Sequence, residues 1–267
     1  MRKLACIVIL IFLFSSCEEV VFWEPGTLEE DRIVIEAILT DEFRQQEISL
    51  SGLKDSLNGE SGAISGAFIS VKDASNEYLF WEDPQSPGLY KSTIPFAIES
   101  YKRYSLSVDW KNNRYEAEAS GVPSYPMRDF PFVPFQEKDS MSIGGLGVDY
   151  SEQEQAMYEF IIDWNNILPG DTTRAKLLHF VFNAINIAQL FGPEQEFFVF
   201  PKGSIVYKSK YALSDDYAVY LRSLVIESKW KGGFFEESSG NLPSNISNGA
   251  LGYFAVCTVQ RDTIIAQ

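Results

Sequence analysis

His179 is the only histidine in this chain of 267 residues, and it limits the chemistry that the sequence can perform. A Ser-His-Asp site, in which histidine takes the proton of the serine, would have to use it. His179 lies inside the apolar run 177–182, where we expect a strand histidine satisfied by hydrogen bonds. The sequence has neither a helical histidine pair nor a Cys-x-x-Cys pair, which removes the usual zinc sites. We therefore predict no catalytic residue, no metal ligand and no cofactor.

Two further segments have residue types that could bind ions, but their spacing does not fit. Asp55–Glu60 has oxygen ligands near Gly59 but lacks the alternating ligand positions of an EF-hand, so we interpret it as a solvated turn. Gly144–Gly147 is rich in glycine, but no Lys-Ser/Thr follows it as in a phosphate-binding loop. Any two of the 37 acidic residues could form a glycosidase pair, and the sequence singles out none. A hydrolase is therefore only the third functional hypothesis, after a binding or accessory module and a structural or adhesion protein.

Cys17 is the residue whose context predicts a chemical modification. Two basic residues, Arg2 and Lys3, precede the uncharged apolar run 4–14, which is typical of a signal peptide. The run is shorter than the roughly 20 apolar residues of a transmembrane helix. Ser15-Ser16-Cys17 resembles the lipobox of bacterial lipoproteins, in which the cysteine sulfur receives diacylglycerol and becomes the mature N-terminus. We predict a signal peptide at 1–16, lipidation of Cys17 and a tether at 17–28. An ordinary secretory signal is the alternative.

The composition of the mature chain excludes some classes of partner. Without residues 1–16, the 20 basic and 37 acidic residues give a net charge of −17, which disfavours binding to nucleic acid. A lipidated Cys17 leaves Cys257 without a disulfide partner, so the hydrophobic core must hold the fold together. We expect Cys257 to be a small buried hydrophobic residue.

Short alternating runs predict a β-sandwich at 29–122. The runs 33–39, 47–51 and 67–72 favour strands, and 104–110 and 115–119 predict a hairpin around an Asn-containing turn. Leu106, Val108 and Trp110 should share the buried face. Four prolines interleaved with aromatic residues then occupy 123–135, which we predict to be a connection packed against a folded body and not a central strand.

The remainder, 136–267, is predicted to form a β-rich domain with one main helix near 214–230. The runs 158–164, 176–182 and 196–200 are typical of strands. Ser214 is the predicted N-cap, Asp215 and Asp216 follow it in the first turn, and apolar residues then recur at helical spacing. The fold class is therefore mostly β: a β-sandwich followed by a β-rich α+β domain with one main helix.

The segment 240–254, rich in Gly, Asn, Ser and Pro, leads into a last strand in which Tyr253, Ala255, Cys257 and Val259 should line one face. It resembles the C-terminal signature of a lipoprotein family of the Bacteroidota, domain of unknown function 4249. The lipobox, the early strand, the turn at 87–90, the hairpin and the helix agree in order with that family. The resemblance implies that the N-terminal sandwich is similar to immunoglobulin-like or transthyretin-like domains. It also implies an outer-membrane lipoprotein beside a TonB-dependent receptor, facing the cell surface, which we favour, or the periplasm.

Three functions follow as expectations. The first is a non-catalytic binding or accessory module at the outer membrane, the second a structural or adhesion protein of the envelope, and the third the hydrolase. The expected partners are the membrane, through the lipid anchor, and a TonB-dependent outer-membrane receptor. The ligand is unknown from sequence; exposed aromatic residues near 123–135 and in Phe191–Phe200 are the candidate surface, although we expect Phe198 and Phe200 to belong to the core.

Overall fold

The structure is a computed structural model that describes residues 32–53, 61–135, 139–144, 146–170, 174–184, 198–229 and 242–267. Over these ranges the chain is mostly β, with sixteen strands and one helix, which confirms the predicted fold class. The predicted signal peptide, the lipidation site Cys17 and the tether lie outside the described residues. In the part of the chain that is described, no helix has the length and apolar character needed to cross a membrane.

The first sheet contains eight strands in the order β15-β1-β2-β5-β4-β3-β6-β7. Their bounds are β1 Ile33–Thr40, β2 Glu47–Gly52, β3 Phe68–Lys72, β4 Glu77–Glu82, β5 Leu89–Ser92, β6 Arg103–Trp110, β7 Asn113–Ser120 and β15 Leu251–Cys257. The alternation predicted from sequence is confirmed, because one face of each strand packs into a single apolar core. In β6, Leu106 and Val108 are buried and Trp110 packs against them at the margin.

The predicted hairpin is formed by β6 and β7, which pair from Arg103 opposite Ser120 to Trp110 opposite Asn113. Its turn differs from the prediction in one detail. The residue with positive φ is Lys111, at 50°, and not an asparagine. The ammonium of Lys111 lies 4.3 Å from the centre of the Trp110 ring, a cation–π contact that favours this position for the lysine.

The C-terminal signature brings the two ends of the first sheet together. β15 pairs with β1 in parallel, whereas the loop before β15 bonds to the opposite edge strand, β7. The side chain of Asn245 accepts a hydrogen bond from Phe254 N at 3.0 Å and donates to the carbonyls of Phe254 and Glu118. Ser247 N also donates to Glu116 O at 2.9 Å. The sheet is therefore curled into a nearly closed barrel.

Gly252 permits this close pairing. Its φ is +89°, and a Cβ at this position would lie 2.1 Å from the carbonyl oxygen of Ile35 on β1. Only glycine adopts such a φ readily and leaves space for a neighbouring backbone.

The second sheet has five strands in the order β10-β12-β11-β14-β16, and a third has the order β13-β9-β8. Their bounds are β8 Phe132–Pro134, β9 Ser140–Ile143, β10 Val148–Tyr150, β11 Ala156–Asp163, β12 Arg174–Phe182, β13 Val199–Pro201, β14 Ile205–Ala212 and β16 Val259–Ile265. Side chains of both sheets share one apolar cluster. The strands predicted at 158–164 and 176–182 are confirmed as β11 and β12.

The connection at 123–135 packs as predicted. Phe130 and Met127 join the apolar cluster of the second sheet, and Arg128 N donates a hydrogen bond to the hydroxyl of Tyr158 at 3.3 Å. β8, the only strand of the connection in the described residues, lies at the edge of its sheet, where the proline at its end interrupts no central ladder.

The predicted helix is confirmed as α1, Asp215–Lys229. Ser214 caps it: Tyr217 N donates to Ser214 Oγ at 3.4 Å, and Ala218 N donates to Ser214 O at 2.9 Å. Tyr217 and Leu221 are buried against residues of β15.

The final part of the chain divides into two strands, which the sequence did not predict. β15 belongs to the first sheet and β16 to the second, with Thr258 alone between them. Tyr253, Ala255 and Cys257 line one buried face as predicted, and Val259 packs against the same cluster. Residues 32–267 form one compact unit. The proposed boundary at 123–135 stays a prediction.

Candidate functional site

A recess of about 250 Å³ opens where the connection, the second sheet and the start of α1 meet. Its walls come from the start of the connection, from the loop before β11, from Asn183 after β12, and from the end of β14 with the N-terminus of α1. Tyr125 and Gln153 are exposed at its margin, and Lys210 closes its floor.

Lys210 is buried, with 1% of its side chain exposed, although lysine is rarely found inside a protein. It points inward from β14, and its Nζ has three acceptors: Glu154 Oε2 at 2.6 Å, Tyr125 O at 2.8 Å and Pro126 O at 3.1 Å. An ammonium has three protons to donate, so this set satisfies it completely. The buried lysine thus attaches the connection to the second sheet.

Arg128 completes the ion network from the other side of Glu154. Its Nε donates to Glu154 Oε1 at 2.8 Å, and its Nη1 donates to Asp149 Oδ2 at 2.9 Å. Both carboxylate oxygens of Glu154 are therefore bonded to cations. Lys208, also buried, donates from Nζ to Arg128 O at 3.3 Å and so makes a second attachment of the connection.

The rim of the recess is polar. Gln155 Nε2 donates to Asp215 Oδ1 at 2.6 Å, which links the loop before β11 to the first turn of α1. Glu152 and Gln153 are exposed beside this link. Because the ion network already satisfies Lys210 and Glu154, these exposed side chains and Tyr125 are the groups that can meet a ligand. The recess is suited to hydrogen bonding and to packing on one aromatic ring.

His179, the one candidate for a catalytic base, lies on β12 beneath the connection and is 2% exposed. The Phe130 ring stands edge-on to it at 5.1 Å, and the Tyr158 ring is 5.8 Å away. The prediction that hydrogen bonds satisfy it is wrong for one nitrogen, since Nδ1 has no partner among the described residues. Burial among aromatic rings lowers the pKa of His179 to about 4, which keeps it neutral.

Among the described residues, every carboxyl group with a shifted pKa has a pKa below its ordinary value. The pKa values of Glu42, Glu82, Asp83 and Asp109 are lowered, chiefly by hydrogen bonds from Arg261, Ser65, Lys91 and Arg114 in that order. That of Asp73 falls to about 2, because bonds from Ser75, Lys102 and Asn76 outweigh its burial. Across the described ranges, no three His, Cys, Asp or Glu side chains are arranged to hold a metal ion.

The remaining sequence candidates are distributed as follows. Cys257 is fully buried as expected, and its burial raises the pKa of the thiol to about 12. Phe200 is buried, and Phe198 packs against the same cluster and stacks on Trp164, which confirms that both belong to the core. Asp55–Glu60 and the part of Phe191–Phe200 before Phe198 lie outside the described residues.

Sequence reasoning missed the ion network of Lys210, Glu154 and Arg128. One signal was present: Lys208 and Lys210 stand at alternate positions of β14 that both turn out to be buried. Two lysines at inward positions of a strand require acceptors from elsewhere in the chain. The sequence does not indicate which residues supply them.

Comparison with known proteins gives one family match. The model of the family described as "Domain of unknown function (DUF4249)" matches residues 18–263. No curated protein matches the chain. Among solved structures, the crystal structure of the chicken CNTN1 FN1–FN3 domains has a TM-score of 0.26 and 8% sequence identity. That match covers 67% of this chain, and the chain spans 60% of that protein's length.

Proposed function

We propose that this chain, which belongs to the DUF4249 family, is a non-catalytic binding module that lipid on Cys17 holds at the outer membrane. In this role it acts as an accessory to a TonB-dependent transporter. The family match begins at residue 18, directly after the proposed lipidation site.

The recess beside Lys210 is the observation that supports the binding role. Its floor is fixed by the ion network of Lys210, Glu154 and Arg128, so its shape is formed before any ligand arrives. A preformed recess in which a few polar groups converge is the first place to test for ligand binding.

The membrane part of the proposal is tested by a pull-down from native outer membranes solubilised in mild detergent. A tagged chain with Cys17 intact is compared with Cys17→Ala. We expect labelled palmitate to enter only the chain with Cys17, and a TonB-dependent receptor, identified by mass spectrometry, to co-purify only with that chain. A lipidated chain that is recovered without a receptor would contradict the accessory role and favour an adhesion or spacer protein.

The recess is tested in the same assay. Gln153→Arg places a long cation at the margin of the recess, and the matched control Gln85→Arg makes the same change at an exposed residue between β4 and β5 of the first sheet. If the recess contacts the receptor or its cargo, Gln153→Arg lowers receptor recovery several-fold and Gln85→Arg leaves it unchanged. Equal recovery with both variants would remove the recess from the proposal.

A further inference from the structure

Two large aromatic side chains are exposed next to each other on the outer face of the first sheet. Trp81 on β4 is 70% exposed and Phe68 on β3 is 55% exposed. Ile69 pairs with Phe80 in the same ladder, so the register places Phe68 and Trp81 opposite each other one step further along. Both Ile69 and Phe80 point into the core, which turns Phe68 and Trp81 outward.

Charged side chains continue this line across the sheet on both sides. Lys91 on β5 pairs with Trp81, and Asp109 on β6 pairs with Phe68. We call these four residues, Lys91, Trp81, Phe68 and Asp109, the outer row. Three strand spacings of about 4.8 Å give the row a length of about 14 Å.

The charges of the outer row are already neutralised and held in place. Asp109 accepts two bonds from Arg114, at 2.7 and 2.8 Å, in a bidentate pair. Lys91 contacts Asp83 at 2.7 Å and Glu47 at 3.8 Å. Because each charge has a partner of opposite sign, the row attracts neither anions nor cations strongly, but its carboxylate and ammonium groups still make hydrogen bonds.

The surroundings of the row restrict the kind of ligand. The same face of the neighbouring strands is mostly polar or charged, with two half-buried leucines, Leu79 and Leu89, next to the row. The polar and charged residues are Ser49, Arg103, Ser105, Ser107, Glu116 and Glu118. A stable protein interface buries about 800 Å² on each partner around an apolar centre, and two rings in a polar field supply only a small part of that area.

We infer that the outer row binds a neutral oligosaccharide. Sugar rings present an apolar face of C–H groups, which packs on an aromatic ring, and edges of hydroxyl groups, which bond to side chains such as Asp109 and Lys91. Rings on adjacent strands, about 4.8 Å apart, would hold successive sugar units across the outer face of the curled sheet. The outer row shares no residue with the recess beside Lys210, so the inference adds a second ligand-binding surface to the proposed binding role.

The test uses the full-length chain with Cys17→Ala, so that detergent micelles do not interfere. It is screened on immobilised neutral glycans (β-glucans, α-glucans, xylans and mannans) with polygalacturonate and chitosan as charged counterparts. The best soluble oligosaccharide is then titrated by calorimetry. We expect a neutral glycan to bind, with affinity lowered at least about tenfold by Trp81→Ala and severalfold by Phe68→Ala.

Phe43→Ala is the matched control, because Phe43 is an exposed aromatic residue, 78% accessible, in the loop between β1 and β2. We expect it to leave glycan affinity unchanged. Thermal unfolding of all three variants checks that they stay folded. The inference is overturned if no neutral glycan binds, if a charged polymer binds better, or if binding survives the double variant Phe68→Ala/Trp81→Ala.

The pull-down distinguishes failure of this inference from failure of the proposed function. Trp81→Ala in the lipidated chain should still recover the receptor while glycan binding is lost. Loss of the receptor with Trp81→Ala would show that the outer row contacts protein and would overturn the oligosaccharide assignment. Glycan binding by a chain that recovers no receptor would contradict only the accessory role.

Discussion

The first and second sheets satisfy their interior polar groups in different ways. Beside the first sheet the buried polar residue of the β1–β2 loop is a neutral amide, Gln46, whose Nε2 contacts the carbonyls of Thr40, Glu42 and Phe96 at 2.8–3.0 Å. The shielded carboxylate of Asp73 lies in the turn between β3 and β4, where Lys102 pairs with it. In the second sheet the interior contains charges, with Lys210 held by a carboxylate from one loop and by carbonyls from the connection. Removing one partner of a buried neutral amide lowers the free energy of unfolding modestly, whereas leaving a buried charge unpaired lowers it by several kcal/mol. The first sheet should therefore be most sensitive to changes in backbone geometry, and the second to changes in charge.

The largest expected effect tests the backbone geometry of the first sheet. Gly252→Ala would place a Cβ 2.1 Å from the Ile35 carbonyl oxygen at a φ of +89°. We expect the free energy of unfolding to fall by about 4–5 kcal/mol, because β15 cannot then pair with β1 without a backbone shift. Urea denaturation followed by circular dichroism measures the loss.

Gly249→Ala separates the cost of a positive φ from the cost of a steric clash with a neighbouring backbone. Gly249 has a φ of +71°, but a Cβ there meets no atom within 4 Å. Its replacement should cost only about 1 kcal/mol, the penalty of the left-handed conformation alone. Equal losses in both variants would show that the approach of β15 to β1 is not what makes position 252 sensitive.

The second effect tests the buried charges of the second sheet. Lys210→Met would leave Glu154 without the cation that satisfies its Oε2 and would leave two carbonyls of the connection without a donor. We expect a loss of about 3–4 kcal/mol in the free energy of unfolding. Adding Glu154→Gln to Lys210→Met should restore part of it, because a neutral amide does not need the second cation that the carboxylate has lost, and Arg128 keeps its pair with Asp149.

An exposed ion pair provides the control for Lys210. Lys72 and Glu77 lie 3.2 Å apart on β3 and β4, and about half of each side chain is exposed to solvent. Lys72→Met should change the free energy of unfolding by less than about 1 kcal/mol, since water solvates the remaining carboxylate. A comparable loss in Lys72→Met and Lys210→Met would remove the distinction between the two sheets.

The parts of the fold that could be predicted are those that follow from local sequence patterns. The strands and hairpin of the first sheet follow from alternation within single runs, and Ser214 identified the start of α1. The pairing of β15 with β1 could not be predicted, because the partners are over 200 residues apart. The passage of the chain from the first sheet to the second at Thr258 could not be predicted either, because the apolar spacing from Tyr253 to Val259 continues across it.

The ion network lay beyond sequence reasoning for a similar reason. Glu154 is 56 residues from Lys210, and the accepting carbonyls of the connection are 84 and 85 residues away. Carbonyl groups occur at every residue, so no side-chain pattern marks the ones that a buried lysine uses. The sequence could show two lysines at inward positions of a strand but not the three-dimensional proximity that makes them tolerable.

The third effect is the pH dependence caused by His179. Its pKa is about 4 in the folded chain and about 6.5 in the unfolded chain. Above pH 6.5 the imidazole is therefore neutral in both states and does not lower the free energy of unfolding. As the pH falls from 6.5 to 4, the unfolded chain binds a proton that the folded chain does not, and stability decreases. The total loss is about 3 kcal/mol. Urea denaturation at several pH values measures it.

His179→Leu should remove this part of the pH dependence. The leucine would lie between the Phe130 and Tyr158 rings without a titratable group. Because the chain has no other histidine, the slope between pH 6.5 and 5 belongs to His179 alone, whereas carboxyl groups with a lowered pKa, such as Asp73, contribute at lower pH. An unchanged slope in His179→Leu would show that the imidazole is accessible to protons in the folded state.

The smallest effect concerns α1, which packs beside β15 and can be altered without touching a buried charge or a strand. Ser214→Ala removes the hydroxyl that accepts a hydrogen bond from Tyr217 N at 3.4 Å and should cost about 1 kcal/mol. Ser223→Ala is the control, because the hydroxyl of Ser223 bonds only to Val219 O within the same helix and its loss should change stability by less than about 0.5 kcal/mol. If Ser214→Ala costs no more than Ser223→Ala, packing of Tyr217 and Leu221 fixes the start of the helix and the cap does not.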